Sequence, residues 1–176
     1  IAAKAAEEGR IVLVMGDEDH PEVRAIRTYC GQENYVFSCS KALESWVNSP
    51  EYSVEKGYIL LAQTTFNLYE WQKCVKITKK LYTNLRLFDT ICNATMLRQQ
   101  EAEAIARTAD RMIVVGGRDS SNTAKLTRIC GQHCPTIQVE TGAELADQLD
   151  SFRSAARVGV TAGASTPAFI IKEVQT

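Results

Sequence analysis

The segment IVLVMGDEDHPEV, residues 11–23, decides the fold. Five apolar residues, Ile11 to Met15, are closed off by Gly16 and a run of acids, after which His20 and Pro21 open a helical pattern. An unbroken β-branched run has the character of a strand buried on both faces, and a helix directly after it begins a βαβ unit. The pattern then recurs. YVFSC (35–39), YILLA (58–62), LRLF (85–88), MIVVG (112–116), TIQVE (136–140) and VGVTA (158–162) each lead through polar residues into a helix-length segment. Such alternation predicts parallel sheets covered by helices on both sides.

The register of the alternation carries more information than any single run. Gly16 and Gly116 close equivalent strands 100 positions apart, and the loops at Gln63 and Gly163 each follow 47 positions later. Two tandem three-layer α/β/α units, each around a small parallel sheet, are the expectation. The boundary is placed in the helix spanning about 96–110, giving units 1–105 and 106–176. The first unit has four candidate strands and the second three, so the second lacks a last strand. The chain opens at Ile1 inside the Ala-rich stretch IAAKAAEEGR, which has the character of a helix end. Together these features suggest a segment of a longer protein.

Composition narrows the functional classes. Of 176 residues, 45% are hydrophobic and 23% charged, with 20 Lys+Arg against 21 Asp+Glu. A net charge of −1 gives no electrostatic footprint for nucleic acid or an anionic membrane surface. No apolar run approaches the ~20 residues of a membrane span, and the sequence contains no basic-then-apolar signal segment. Cys30, Cys39, Cys74, Cys92, Cys130 and Cys134 fall at irregular spacings with no CxxC pair. That usage predicts reduced thiols in a cytoplasmic setting. Cys130, His133 and Cys134 invite a zinc reading, but a structural site takes four ligands and nothing supplies the rest; buried thiols are the alternative.

In open parallel sheets ligands bind beyond the carboxyl ends of the strands, where loops enter helices. Three such loops are rich in neutral donors: Asp119-Ser120-Ser121-Asn122, Gly163-Ala164-Ser165-Thr166-Pro167 and Gln63-Thr64-Thr65. On helix N-termini these would cradle a phosphate without many basic residues, although Ser, Thr and Asn are also ordinary caps. His20 and Glu22 sit on the first loop. They suit phosphate binding and proton delivery; the alternative is a capping His beside a Glu that complements the helix dipole. Arg118 and Asp119 have the character of solvated loop charges, and Lys73, Lys76, Lys79 and Lys80 that of an exposed helix face. Cys92 differs from the other cysteines because it lies on a strand-to-helix loop, DTICNAT (89–95), on the ligand edge. There a thiol is either a nucleophile or metal ligand, or inert.

Taken in order, HPEV (20–23), QTT (63–65), DTICNAT with Arg98 and Gln99, VVGGRDSSNT (114–123) and GVTAGASTP (159–167) closely resemble one family. It is the 4-hydroxy-3-methylbut-2-enyl diphosphate reductase family, also called LytB or IspH, of the methylerythritol phosphate route to isoprenoids. The resemblance implies three α/β units in pseudo-threefold arrangement around a central [4Fe-4S] cluster, with residues 1–105 and 106–176 matching the central and third domains. It implies a cytoplasmic, oxygen-sensitive enzyme that removes the allylic hydroxyl of its substrate reductively, giving isopentenyl and dimethylallyl diphosphates. The electrons would come singly from a ferredoxin- or flavodoxin-type donor. By motif position, Cys92 matches a cluster ligand, His20 a diphosphate-binding histidine, and Glu22 the acid that relays a proton to the leaving hydroxyl. Thr64 matches the threonine beside that hydroxyl, while Ser120, Ser121, Asn122 and Ser165 match diphosphate-binding groups.

The family's two other cluster cysteines and two further histidines have no counterpart in the sequence given. A cubane cluster is held by thiolates from several places, so the 176-residue chain is expected to be inactive alone and to hold no stable cluster. A non-redox phosphate-binding or regulatory module of the same fold is the alternative.

Overall fold

The computed structural model describes residues 1–81, 84–146 and 148–175. Its elements divide into two compact units, Ile1–Cys92 and Asn93–Thr176. In the first, α1 (Ala2–Glu7) leads into β1 (Ile11–Met15), α2 (Pro21–Thr28), β2 (Asn34–Phe37), α3 (Ser40–Val47), β3 (Gly57–Ala62), α4 (Leu68–Thr78) and β4 (Asn84–Phe88). The second holds α5 (Asn93–Ala106), β5 (Arg111–Val115), α6 (Ser121–Gly131), β6 (Thr136–Val139), α7 (Gly142–Ala146), a 3₁₀ turn at Leu149–Phe152, β7 (Val158–Ala162) and α8 (Ala168–Gln175). All seven expected runs are strands, with ends moved by no more than two residues.

Both sheets are wholly parallel. The first runs β2-β1-β3-β4 and the second β6-β5-β7. The 47-residue spacing recognised in the sequence is the pairing register itself. Ile11 stands opposite Tyr58 on β3, and Arg111 opposite Val158 on β7. In each unit the first strand in chain order is an interior strand of its sheet, and every residue of β1 is apolar and buried, as an interior strand covered on both faces requires.

Each sheet is sandwiched. On one face of the first, Val12, Val14, Ile59 and Leu61 pack with Ala5 of α1 and Val23 of α2. On the other, Trp46 of α3 meets Phe37 and Tyr58 at ring separations of 5.6 and 5.8 Å. In the second unit Met112 and Val114 pack with Ala102 and Ala106 of α5 and with Leu126 and Cys130 of α6. Ile113, Val115 and Val139 pack with Leu145 of α7 and Val174 of α8.

Those contacts place the boundary between Cys92 and Asn93 instead of at 105/106. The alanines of α5 fill the space over β5, so the whole helix packs with the second unit. Ala5 of α1 does the corresponding work over β1. Among the described residues no helix is long and apolar enough to cross a membrane.

Candidate functional site

In the first unit the polar groups at the carboxyl ends of β1, β3 and β4 are bonded to one another. His20 caps α2: its backbone is extended and its Nδ1 accepts from the amide of Glu22 at 3.2 Å. Pro21 occupies the first helical position, where its fixed φ favours the turn and its missing N–H costs nothing. This aims Glu22 across to the loop after β3. There Oε1 of Glu22 accepts from the Thr64 amide at 2.8 Å, and Oε2 accepts from the Thr64 hydroxyl at 2.8 Å. The carbonyl of Thr64 in turn accepts from the amide of Cys92 at 2.9 Å. A carboxylate, a hydroxyl and a thiol-bearing backbone are thus linked through residue 64.

Two further residues hold that arrangement. Gln63 is completely buried, its Oε1 accepting from the Asp17 amide at 3.1 Å and its Nε2 donating to Thr65 Oγ1 at 2.9 Å. It ties the loop after β1 to the loop after β3. Thr90 clamps the loop after β4 to the end of β3 through its hydroxyl, which bonds both the amide and the carbonyl of Ala62. This clamping role of Thr90 left no trace in the sequence, because one Thr between Asp89 and Ile91 resembles any turn residue. Glu22, Thr64 and Thr90 also line a pocket of about 390 Å³ with apolar walls from Ile26, Tyr29 and Leu61.

Cys92 is exposed and immediately precedes α5. The buried thiols have a different character. Burial pushes Cys74 up to about 12 and Cys130 up to about 11, so neither is a thiolate near neutrality. Among the described residues no three His, Cys, Asp or Glu side chains gather as a metal site. His133 instead lies 3.2 Å from buried Glu103, which also takes Arg107 at 2.6 Å.

The second unit repeats the frame with other chemistry. Ser120 caps α6, its Oγ accepting from the Thr123 amide at 3.3 Å, and Ser121 is the first helical residue. Asn122 and Thr123 follow, both buried. Thr166 bonds the Val115 carbonyl through its hydroxyl at 3.0 Å, which fixes the loop carrying exposed Ser165. Ser165, Thr166, Gly116, Gly117, Thr123 and Glu140 line one pocket of about 110 Å³. Of the three donor-rich loops expected to cradle a phosphate, the Gly163–Pro167 loop lines this pocket, whereas Ser120, Ser121 and Asn122 are not among its lining residues and reach it only through the neighbouring Gly116, Gly117 and Thr123. The third, Gln63 to Thr65, belongs to the first unit, and the side chains of Gln63 and Thr64 are engaged within it. Arg118 is also less detached than expected, its amide donating to Glu140 at 2.7 Å and its guanidinium to Glu144 at 2.9 Å.

Comparison with known proteins gives a consistent result. The pattern of the family described as LytB protein matches residues 1–176. The chain is 41% identical over 175 residues to 4-hydroxy-3-methylbut-2-enyl diphosphate reductase of Oleidesulfovibrio alaskensis, covering 98% of this chain and 60% of that protein. It is 39% identical over 181 residues to the Clostridioides difficile protein of the same name, covering 100% and 61%. Among solved structures, the E-1-hydroxy-2-methyl-but-2-enyl-4-diphosphate reductase of Plasmodium falciparum matches with a TM-score of 0.86 at 22% identity, over 98% of this chain and 53% of that one. This shows the shared fold. The chain spans about 60% of the length of these two curated relatives.

Proposed function

The chain belongs to the LytB family, and from that premise we propose that it forms the central and third domains of a 4-hydroxy-3-methylbut-2-enyl diphosphate reductase. The reaction replaces the allylic hydroxyl by hydrogen: two electrons and two protons enter, the C–O bond breaks, and water leaves. The products are isopentenyl and dimethylallyl diphosphates. The electrons come one at a time from a ferredoxin- or flavodoxin-type donor in the cytoplasm.

The observation that carries this reading is the Glu22–Thr64 pair, two 2.8 Å bonds beside the Cys92 loop. A hydroxyl both donates and accepts. The Thr64 hydroxyl here donates to Glu22; with a proton on Glu22 it turns to accept that proton and gives its own to a substrate hydroxyl beside it, which leaves as water. His20 and, in the second unit, Ser120, Ser121, Asn122 and Ser165 are assigned to the diphosphate, where helix N-termini and neutral donors favour an anion. Cys92 is assigned as one thiolate ligand of an iron–sulfur cluster. A cubane needs thiolates from several places, and no such set gathers among the described residues. These residues alone do not fit a cluster, so the chemistry assigned to them is binding and proton transfer.

The test is a chimaera in which this chain replaces the matching segment of the Clostridioides difficile reductase. Under anaerobic conditions with a one-electron donor it should turn over the allylic diphosphate. Glu22→Gln should lower kcat by roughly 10²-fold or more with little change in substrate binding, as expected for loss of a positioned acid. A folded, diphosphate-binding chimaera without turnover would sink the proposal, as would a Glu22→Gln variant of undiminished kcat.

A further inference from the structure

Among the described residues, four buried side-chain polar atoms have no hydrogen-bond partner. One is the hydroxyl of Tyr52; the other three are Nδ2 and Oδ1 of Asn122 and Oγ1 of Thr123, adjacent residues in the first turn of α6. An unmet buried hydroxyl is costly, and such atoms are rare in folded proteins. Three in one helical turn mark a place where the free chain leaves polar groups for something else to satisfy.

The internal repeat supplies a control for Thr123. The equivalent residue of the first unit is Val23, completely buried, whose Cγ2 lies 2.8 Å from where a methyl on Gly16 would stand. Thr123 is 1% exposed and fills the corresponding space, its hydroxyl against Gly116 and Gly163. Valine and threonine have nearly the same shape, so packing beside the strand ends does not call for a hydroxyl. The polar atom appears only in the unit where the neighbouring loops form the small pocket lined by Gly116, Gly117, Ser165 and Thr166. Glu140 also lines that pocket, and its Oε1 is taken up by the Arg118 amide at 2.7 Å.

We infer that Thr123 is a further anion-binding residue: its buried, unpartnered hydroxyl donates to a phosphoryl oxygen entering the pocket between Gly116–Gly117 and Ser165–Thr166. The glycines leave room for that approach, and a phosphoryl oxygen is an acceptor matched to an unused donor. This assignment rests on the diphosphate reading of the second unit given above.

Titration of the 176-residue chain with inorganic pyrophosphate, followed calorimetrically with a melting curve for each variant, tests it. Thr123→Val, which installs the residue of the first unit, should weaken binding roughly tenfold or more while leaving the melting temperature unchanged or raised. Thr123→Ser, which keeps the hydroxyl, should bind within about threefold of wild type. The assignment falls if the Val variant binds as wild type does, or if Ser loses as much as Val. It also falls if Val sharply lowers the melting temperature, because position 23 shows that this packing accepts the methyl. Absence of pyrophosphate binding by the wild type refutes the anion-site reading itself and takes the assignment with it, whereas wild-type binding that Val leaves intact overturns the assignment alone.

Discussion

At position 22 the first unit carries a glutamate whose two oxygens are both bonded to Thr64; 100 residues on, the second unit carries Asn122, whose side-chain amide has no partner among the described residues. At position 63 a buried glutamine bridges two loops, while its counterpart Gly163 has no side chain to bridge anything. The backbone is common to both. Gly16 and Gly116 donate to the ends of β2 and β6, and Gln63 and Gly163 donate to the ends of β1 and β5. At these strand ends one frame thus holds bonded polar side chains in the first unit and, among the described residues, unsatisfied ones in the second. Saturation suits groups whose positions must be fixed before a reaction. Unmet donors suit groups whose partner is a ligand.

The largest expected difference lies at the two glycines closing the central strands. Gly116 has φ of +148°, a region that other residues rarely enter, and a methyl there would lie 2.7 Å from Thr123 Oγ1. Gly16 has an ordinary φ, and a methyl would press only on Val23 and Gln63. Gly116→Ala should therefore cost about 3 kcal/mol or more, and Gly16→Ala about 1–2 kcal/mol. Urea unfolding of both variants measures this. Equal losses would break the view that the second frame alone is closed by a strained turn.

A smaller contrast concerns the polar side chains themselves. Gln63→Met removes a side chain bonded at both ends and strands the Asp17 amide, at an expected cost of about 2 kcal/mol. Asn122→Leu removes a buried amide that had no partner, and should change stability by under about 0.5 kcal/mol or raise it. If Asn122→Leu proved as damaging as Gln63→Met, Asn122 would be a structural residue, and the unsatisfied state of the second unit would lose its meaning.

The frame was legible in the sequence because its signal is strong. Runs such as Ile11 to Met15 and Met112 to Val115 must be buried on both faces, and two of them 100 residues apart announce a repeat. The boundary was not legible, because α5 has no apolar stripe. It buries Ala102 and Ala106 together with Gln99 and Glu103, which resembles a solvated connector when read by hydrophobicity. The site was legible as a set of loops but not as partnerships. Glu22 and Thr64 are 42 residues apart, and only the parallel pairing of β1 with β3 brings their loops side by side. Thr123 was hidden for a simpler reason: a threonine three residues after a capping serine looks like an ordinary first-turn residue until Val23 is placed beside it.

The smallest expected effect concerns a second bonded carboxylate of the first unit, away from the candidate site. Glu70 of α4 accepts from the amide and hydroxyl of Ser40 at 2.8 and 2.7 Å and from Lys73 at 2.7 Å, fastening α4 to the start of α3. Burial works against its charge, but the hydrogen bonds from Lys73 and Ser40 outweigh that and hold its carboxyl below the usual range. Its counterpart in the second unit, Ile170, does not titrate and packs against the core. Because the folded pKa is lowered, the tether's contribution is complete above the unfolded carboxylate value of about 4.3 and is lost as pH falls through the folded value. Glu70→Gln should thus be less stable than wild type at neutral pH, by less than Gln63→Met, and the two stabilities should converge on acidification. Urea unfolding at about pH 7, 5 and 3.5 would show the convergence. A constant gap between wild type and Glu70→Gln at every pH would mean that the tether depends on the shape of the side chain and not on its charge, leaving Glu22 as the carboxylate on which the contrast between the units rests.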